Sequence, residues 1–299
     1  MRKPRTKWEQ RKERIVNAWN VFKEGRIGLI GIAILVIFIV MAFASFLPPL
    51  IDEMYLPLSG SDPDIIGMTL PSLRHPLGTD FGGRDVFSQL LEGCRWALII
   101  GITAAAASTI LSTVVGLVSG YYGGVVDALL QRTAETIMAL PWFALIVLIG
   151  SVLRGIGIWN IVVLISILGW PGASKVIRAQ VLSLRERPYI ESARVSGASD
   201  FRIVFRHIAP NVLPLAFLFM AFGVTQAILI EAALSFIGMG DPNIMTWGMM
   251  IHWCYTSGYA FIAPFWVIPP GLCITSLSLS FYLIGIGAER IVNPRLRKR

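Results

Sequence analysis

From Ile27 to Leu47 the chain is almost wholly apolar and carries no charged side chain. Comparable runs recur along it, near or above the ~18 residues that mark a membrane-crossing helix. Few folds survive that constraint. Lipid offers no hydrogen bonds, so a backbone crossing it must pair within itself as a helix or within a closed barrel, and continuous apolar runs lack the alternation of a barrel wall. The expected class is an all-α integral membrane protein with six transmembrane helices. A hydrophobic content of 55% with 15% charged residues over 299 residues agrees.

The formal net charge of +8 does not point to nucleic acid, because the basic residues sit beside the apolar runs, where they set orientation. Residues 1–26 hold nine Lys or Arg against three Glu and read as a basic cytoplasmic tail; Arg290, Arg295, Arg297, Lys298 and Arg299 form a second at 290–299. A cleavable signal is the rival reading of the first run, since Ala42-Phe43-Ala44 resembles a cleavage site, but the run exceeds the usual 7–15 residues. An uncleaved first span over 27–47 is expected.

Residues 48–95 turn acidic, with Asp52, Glu53, Asp62, Asp64, Asp80, Asp85 and Glu92 against three Arg, and should form an external loop. The core domain then runs over 96–289. A second helix is expected over 96–120, with Gly116, Gly120 and Gly124 as a small-residue face for close helix packing. A polar turn follows around Asp127, Arg132 and Glu135, then a third helix over 136–153 with Pro141 near its start and a short return at 154–157. The fourth helix starts at Ile158, and twelve residues to Gly169 are too few, so it should continue past Pro171. A cytoplasmic segment over 175–211 carries six Arg and Lys175 against three acids. The fifth helix, 212–236, holds Glu231, an intramembrane acid that either lines a pathway or makes a structural pair. The loop over 238–264 is rich in Trp and Tyr, which suit the membrane interface or a docked receptor. A sixth helix, 265–287, returns the chain inside. Cys94, Cys254 and Cys273 are too scattered for a disulfide framework or zinc site and read as packing residues.

Within 175–211 lies a polar island built as two short helices joined by a tight turn. Pro188 suits a first helical position, Glu191 complements the helix dipole, Gly197 fits a left-handed turn, and Ser199 or Asp200 can cap a helix over 201–208. The spacing Glu191-Ser192-Ala193, three residues, Gly197, nine residues, His207, one residue, Ala209-Pro210 resembles the coupling segment of ABC-importer permeases. Ser192 stands where that motif has Ala, His207 where it has Ile, and Ala209 where it has Leu. His75-Pro76-Leu77-Gly78-Thr79-Asp80 and Gly82-Gly83-Arg84-Asp85-Val86-Phe87-Ser88 are similar to a signature of the dipeptide/oligopeptide/nickel branch, as is Arg206-His207-Ile208-x-Pro210-Asn211. Arg84 beside Asp80 and Asp85 suggests an ion-pair network in that loop, which is either a structural plug or a substrate contact.

This resemblance implies a type I ABC-importer permease fold in a prokaryotic cell membrane, with both termini cytoplasmic. It implies a second homologous permease, two cytoplasmic ATPase subunits that hold ATP and Mg, an extracytoplasmic solute-binding protein and surrounding lipid. Glu191, Ser192, Ala193, Arg194, Gly197 and Asp200 become the candidate ATPase-coupling residues. Peptides lead among the solutes, with nickel and oligosaccharides as alternatives. No phosphate-loop, zinc-protease or Gly-x-Ser-x-Gly motif occurs, so neither a catalytic nor a cofactor or metal site is expected on this chain. A secondary carrier or channel working without ATPases, and a membrane enzyme or scaffold, are the rivals; neither accounts for the elbow's spacing.

Overall fold

The computed structural model describes residues 20–23, 25–152 and 157–292. Most of the basic tails, and residues 154–156 of the return expected at 154–157, lie outside them. Ten helices organise the described chain: α1 (Arg26–Ala44), α2 (Leu47–Ile51), α3 (Val86–Tyr122), α4 (Gly124–Ala139), α5 (Trp142–Val152), α6 (Ile158–Arg185), α7 (Pro188–Val195), α8 (Asp200–Phe236), α9 (Trp247–Thr256) and α10 (Pro264–Val292). Five spans are long and apolar enough to cross a membrane, with α1 and α2 counted as one, or six if α4 and α5 form one broken span. Large apolar side chains such as Val40, Phe43 and Phe217 stay exposed on these helices, as lipid-facing walls require.

Several elements differ from the sequence expectation, each for a local reason. The loop expected to end at residue 95 ends at Asp85, whose carboxylate caps α3 by accepting the Ser88 N–H at 2.7 Å. The expected polar turn around Asp127 is helical: α4 carries Asp127, Arg132 and Glu135, and the break falls instead at Leu140-Pro141. Proline disfavours helical backbone in the residue before it, and Leu140 is extended at φ −83°, ψ 143°. The α4 and α5 axes consequently meet at 83°.

Pro171 does not stop α6, which runs on to Arg185 through the stretch expected to be loop from Lys175. Two serine hydroxyls serve the carbonyls around the proline: Ser112 donates to Trp170 O at 3.0 Å and Ser174 to Pro171 O at 2.7 Å. Pro210 is absorbed similarly. The helix expected to end at Ile208 passes through one π turn, Val204–Ile208, and continues to Phe236. That wider turn shifts the hydrogen-bond ladder just ahead of Pro210, whose ring would press on the Arg206 carbonyl in a regular helix.

α3 packs most extensively on α6. A Cβ on Gly116 would lie 2.6 Å from Ile177, and one on Gly120 2.8 Å from Val181. Gly124 is not part of that seam; it sits beyond the end of α3 at φ +56° with nothing close. Asp127 on α4 then clasps Arg178 on α6 through both carboxylate oxygens, the Arg178 Nε bond being 2.5 Å. The loop over 238–264 is also more ordered than expected, because Thr246 caps α9 and Trp247 is fully buried, donating to Leu90 O at 2.9 Å.

Candidate functional site

The elbow is α7, a turn at 196–199 and the start of α8. Pro188 occupies the first turn of α7 and Glu191 lies in the same turn. Gly197, at φ +79°, donates to Arg194 O, and the Ala198 N–H donates to Ala193 O, both at 3.0 Å. These paired bonds close the helix end and require the left-handed backbone that glycine adopts without strain. Ser199 is the residue that caps α8, its hydroxyl accepting the Arg202 N–H at 3.4 Å.

Two anchors tie the elbow to the bundle. Ile190 is fully buried in a cluster with Leu117, Ile177, Val181, Ile203 and Ile208. The Tyr121 hydroxyl, at the end of α3, donates to Asp200 Oδ1 at 2.6 Å, while Arg185 Nη1 donates to Tyr121 O at 2.8 Å. Asp200, a candidate coupling residue, therefore already holds an internal partner. Ser192 likewise spends its hydroxyl on Pro188 O of its own helix, at 2.9 Å. Glu191 and Arg194 are exposed, Ala193 is half-buried, and Val195 stands 85% exposed at the tip. Sequence spacing missed Val195 and Ile190. The 3.6-residue period could have separated them, since Ile190 falls on the face turned to α6 and α8 and Val195 does not.

At the opposite end of α3, the loop motif folds into a buried polar clasp. Asp80 is fully buried; its Oδ2 takes Arg84 Nε at 2.7 Å and Gln89 Nε2 at 2.8 Å, and its Oδ1 takes the Gly82 and Arg84 N–H groups. Thr79 is buried and donates to Gly67 O at 3.0 Å. Gly78 and Gly83 sit at φ +72° and +76° and turn the chain around these groups. Asp85 does not join Arg84 as the sequence suggested. Its Oδ1 lies 2.9 Å from His75 Nδ1, and Asp62 Oδ2 lies 3.1 Å from the other ring nitrogen. Burial pushes the Asp62 carboxyl up, but the Asp64 N–H, His75 and the Arg74 guanidinium outweigh it and hold it below the usual carboxylate range. The Arg84 guanidinium lies over Trp253, 4.4 Å from the ring centre, and so joins the loop to α9.

Halfway along the bundle, a chamber of about 460 Å³ opens between α3, the α4–α5 break, α6 and α8. Its wall includes Ser108, Thr109, Trp142, Pro171, Phe222 and Gln226. Glu231 is absent from that wall. Its buried carboxylate accepts the Ser235 hydroxyl at 2.6 Å, on the side where Gly248 of α9 comes within van der Waals reach of Ala232 and Ser235. Among the described residues no His, Cys, Asp or Glu cluster has the geometry of a metal site.

Residues 112–298 match the family model described as binding-protein-dependent transport system inner membrane component, a stretch that includes the elbow, the π turn and α8. The chain belongs to that family. It is 34% identical over 279 residues to a putative peptide permease protein of Brucella suis biovar 1, covering 92% of this chain and 89% of that one. A dipeptide transport system permease protein, DppC, of Alkalihalophilus pseudofirmus is 33% identical, with 94% and 90% covered. The glutathione transport system permease protein GsiD of Pectobacterium atrosepticum is 33% identical, with 89% and 86% covered. Among solved structures, an inward-facing conformation of the MetNI methionine ABC transporter superposes with a TM-score of 0.52 at 20% identity, over 71% of this chain and 97% of that one. The fold is thus that of a type I importer permease, and the chain is a multi-pass membrane permease subunit of a binding-protein-dependent importer.

Proposed function

We propose that this permease forms half of the passage of an ATP-driven peptide importer and receives the work of ATP hydrolysis through its elbow. The substrate class rests on the relatives, whose names specify peptides, dipeptides and glutathione. The observation that carries the coupling role is the elbow's construction. α7 is fixed from behind by Ile190 and its neighbour α8 by the Asp200 to Tyr121 bond; Arg194, though exposed, interacts with the same Tyr121 hydroxyl, while Glu191 and Val195 face outward with no covering element among the described residues. A bound ATPase gripping that outer face moves α3, α6 and α8 together.

In this reading two cytoplasmic ATPases carry ATP and Mg, and this chain performs no catalysis. A second homologous permease completes the passage, an external solute-binding protein delivers the solute at the loop and α9, and both termini lie in the cytoplasm. ATP-driven closure of the ATPases shifts the elbows and turns the helices outward; hydrolysis restores the inward state.

Reconstitution of the full complex in vesicles tests the reading. Wild type should import alanylalanine only with ATP and receptor present. Gly197→Asp should still assemble and hydrolyse ATP, since no atom lies within 4 Å of the added Cβ. Its strained positive φ, costing about 1–2 kcal/mol, should misalign α7 and abolish uptake. Wild-type uptake by that variant would remove the elbow from the mechanism.

A further inference from the structure

The chamber wall has a chemical character that the elbow and the relatives' names leave unassigned. Among the described residues no charged side chain lines it, and of its polar groups the Ser112 hydroxyl is already bonded to Ser108 O and Trp170 O. Ser108, Thr109, Trp142 and Gln226 make no side-chain hydrogen bond among the described residues, and Gln226 alone of these carries a primary amide. It lies ten residues before the end of α8, about 15 Å along the helix, within the apolar span and in the wall of the chamber halfway along the bundle. Its side chain is exposed, and among the described residues it has no hydrogen-bond partner. A primary amide facing hydrocarbon without a partner costs several kcal/mol, on the order of 2–7. Gln226 therefore faces either water and a passing solute or a polar group of another subunit.

Resting on the peptide-importer reading, we propose that Gln226 contacts the transported solute and that the chamber takes amide-bearing organic solutes of the short-peptide class, whatever their net charge, rather than bare metal cations. A carboxamide both donates and accepts, so it matches the N–H and C=O that every peptide bond presents, whatever the side chains. A divalent transition metal instead wants imidazole, thiolate or carboxylate ligands, and the wall offers none. The wall's aromatic and small aliphatic surface adds no charge preference, which leaves discrimination among peptides to the receptor.

The test uses the complete reconstituted transporter with alanylalanine, lysylalanine, glutamylalanine and Ni²⁺ as probes, each variant normalised to wild type so that receptor preference cancels. Gln226→Glu should raise the ratio of lysylalanine to glutamylalanine uptake about tenfold, and Gln226→Lys should lower it by a similar factor, since a unit charge at contact distance acts strongly there. Recovery of the second permease should be the same for both and for Gln226→Ala. Unchanged ratios with alanylalanine still imported would overturn the proposal. So would loss of the second permease from Gln226→Ala, which would make the amide an interface bond. Uptake of Ni²⁺ but no dipeptide by wild type would overturn the solute class, and an absence of ATP-dependent uptake of any probe would instead defeat the importer reading beneath it.

Discussion

Ile190 and Asp62 are single side chains on which the two ends of the molecule depend. The first lends α7 its only fully buried apolar contact, and α7 is eight residues long, too short to be stable as an isolated helix. The second sits at the centre of a clasp with His75 and Arg74, and its depressed pKa makes a pH dependence. An unfolded Asp titrates near about 3.9. The folded value lies lower, so the contribution of Asp62 to stability is fully present above the unfolded pKa and disappears as pH falls through the folded one. Thermal unfolding of the purified protein followed from pH 7 to pH 3 should show wild type losing more stability below pH 4 than Asp62→Asn does; parallel curves would show the clasp contributes nothing. The Arg84 to Asp80 half of the clasp was legible in sequence; the seat of His75 between Asp62 and Asp85 was not. Arg84 and Asp85 are adjacent, and only the backbone turn at Gly83 sends one to Asp80 and the other to His75.

At the scale of elements, the seam between α3 and α6 is the most extensive, and Gly116 and Gly120 let Ile177 and Val181 approach the helix backbone there. Gly116→Leu should force the pair apart. Overpacking of this kind costs typically about 1–3 kcal/mol and should lower the melting temperature in detergent. Gly271→Ala on α10, where the added Cβ meets nothing within 4 Å, is the control and should leave it unchanged or slightly higher. Equal melting for both variants would discount the seam. Span number, the small-residue face and the elbow's turn were readable, since each rests on local chemistry: apolar length, glycine spacing, a glycine after a short helix. Helix ends were not. Pro141 breaks a span whereas Pro171 and Pro210 are carried through theirs; the continuation past Pro171 follows from the length a span needs, while the π turn that precedes Pro210 has no signal in the sequence.

For the whole molecule, the clasp and α9 lie at one end of α3 and the elbow at the other, so orientation can be read with thiol chemistry. Cys94 and Cys254 are buried, and with the half-buried Cys273 replaced by Ser the background is small. In cells, a membrane-impermeant maleimide should label Ser257→Cys, exposed just after α9, and should reach Ser196→Cys at the elbow only in inside-out vesicles stripped of ATPases. The reverse pattern would invert the topology. α3 itself has a mechanical consequence. It is one helix of 37 residues without an internal proline, about 55 Å long, capped by Asp85 at one end and bonded through Tyr121 to the elbow at the other. A beam pivoted near its middle works as a seesaw: tilting it by about 10° displaces its two tips some 5 Å in opposite senses. Opening on one side of the membrane and closing on the other then need no relay between them, because they are the same movement seen from either end.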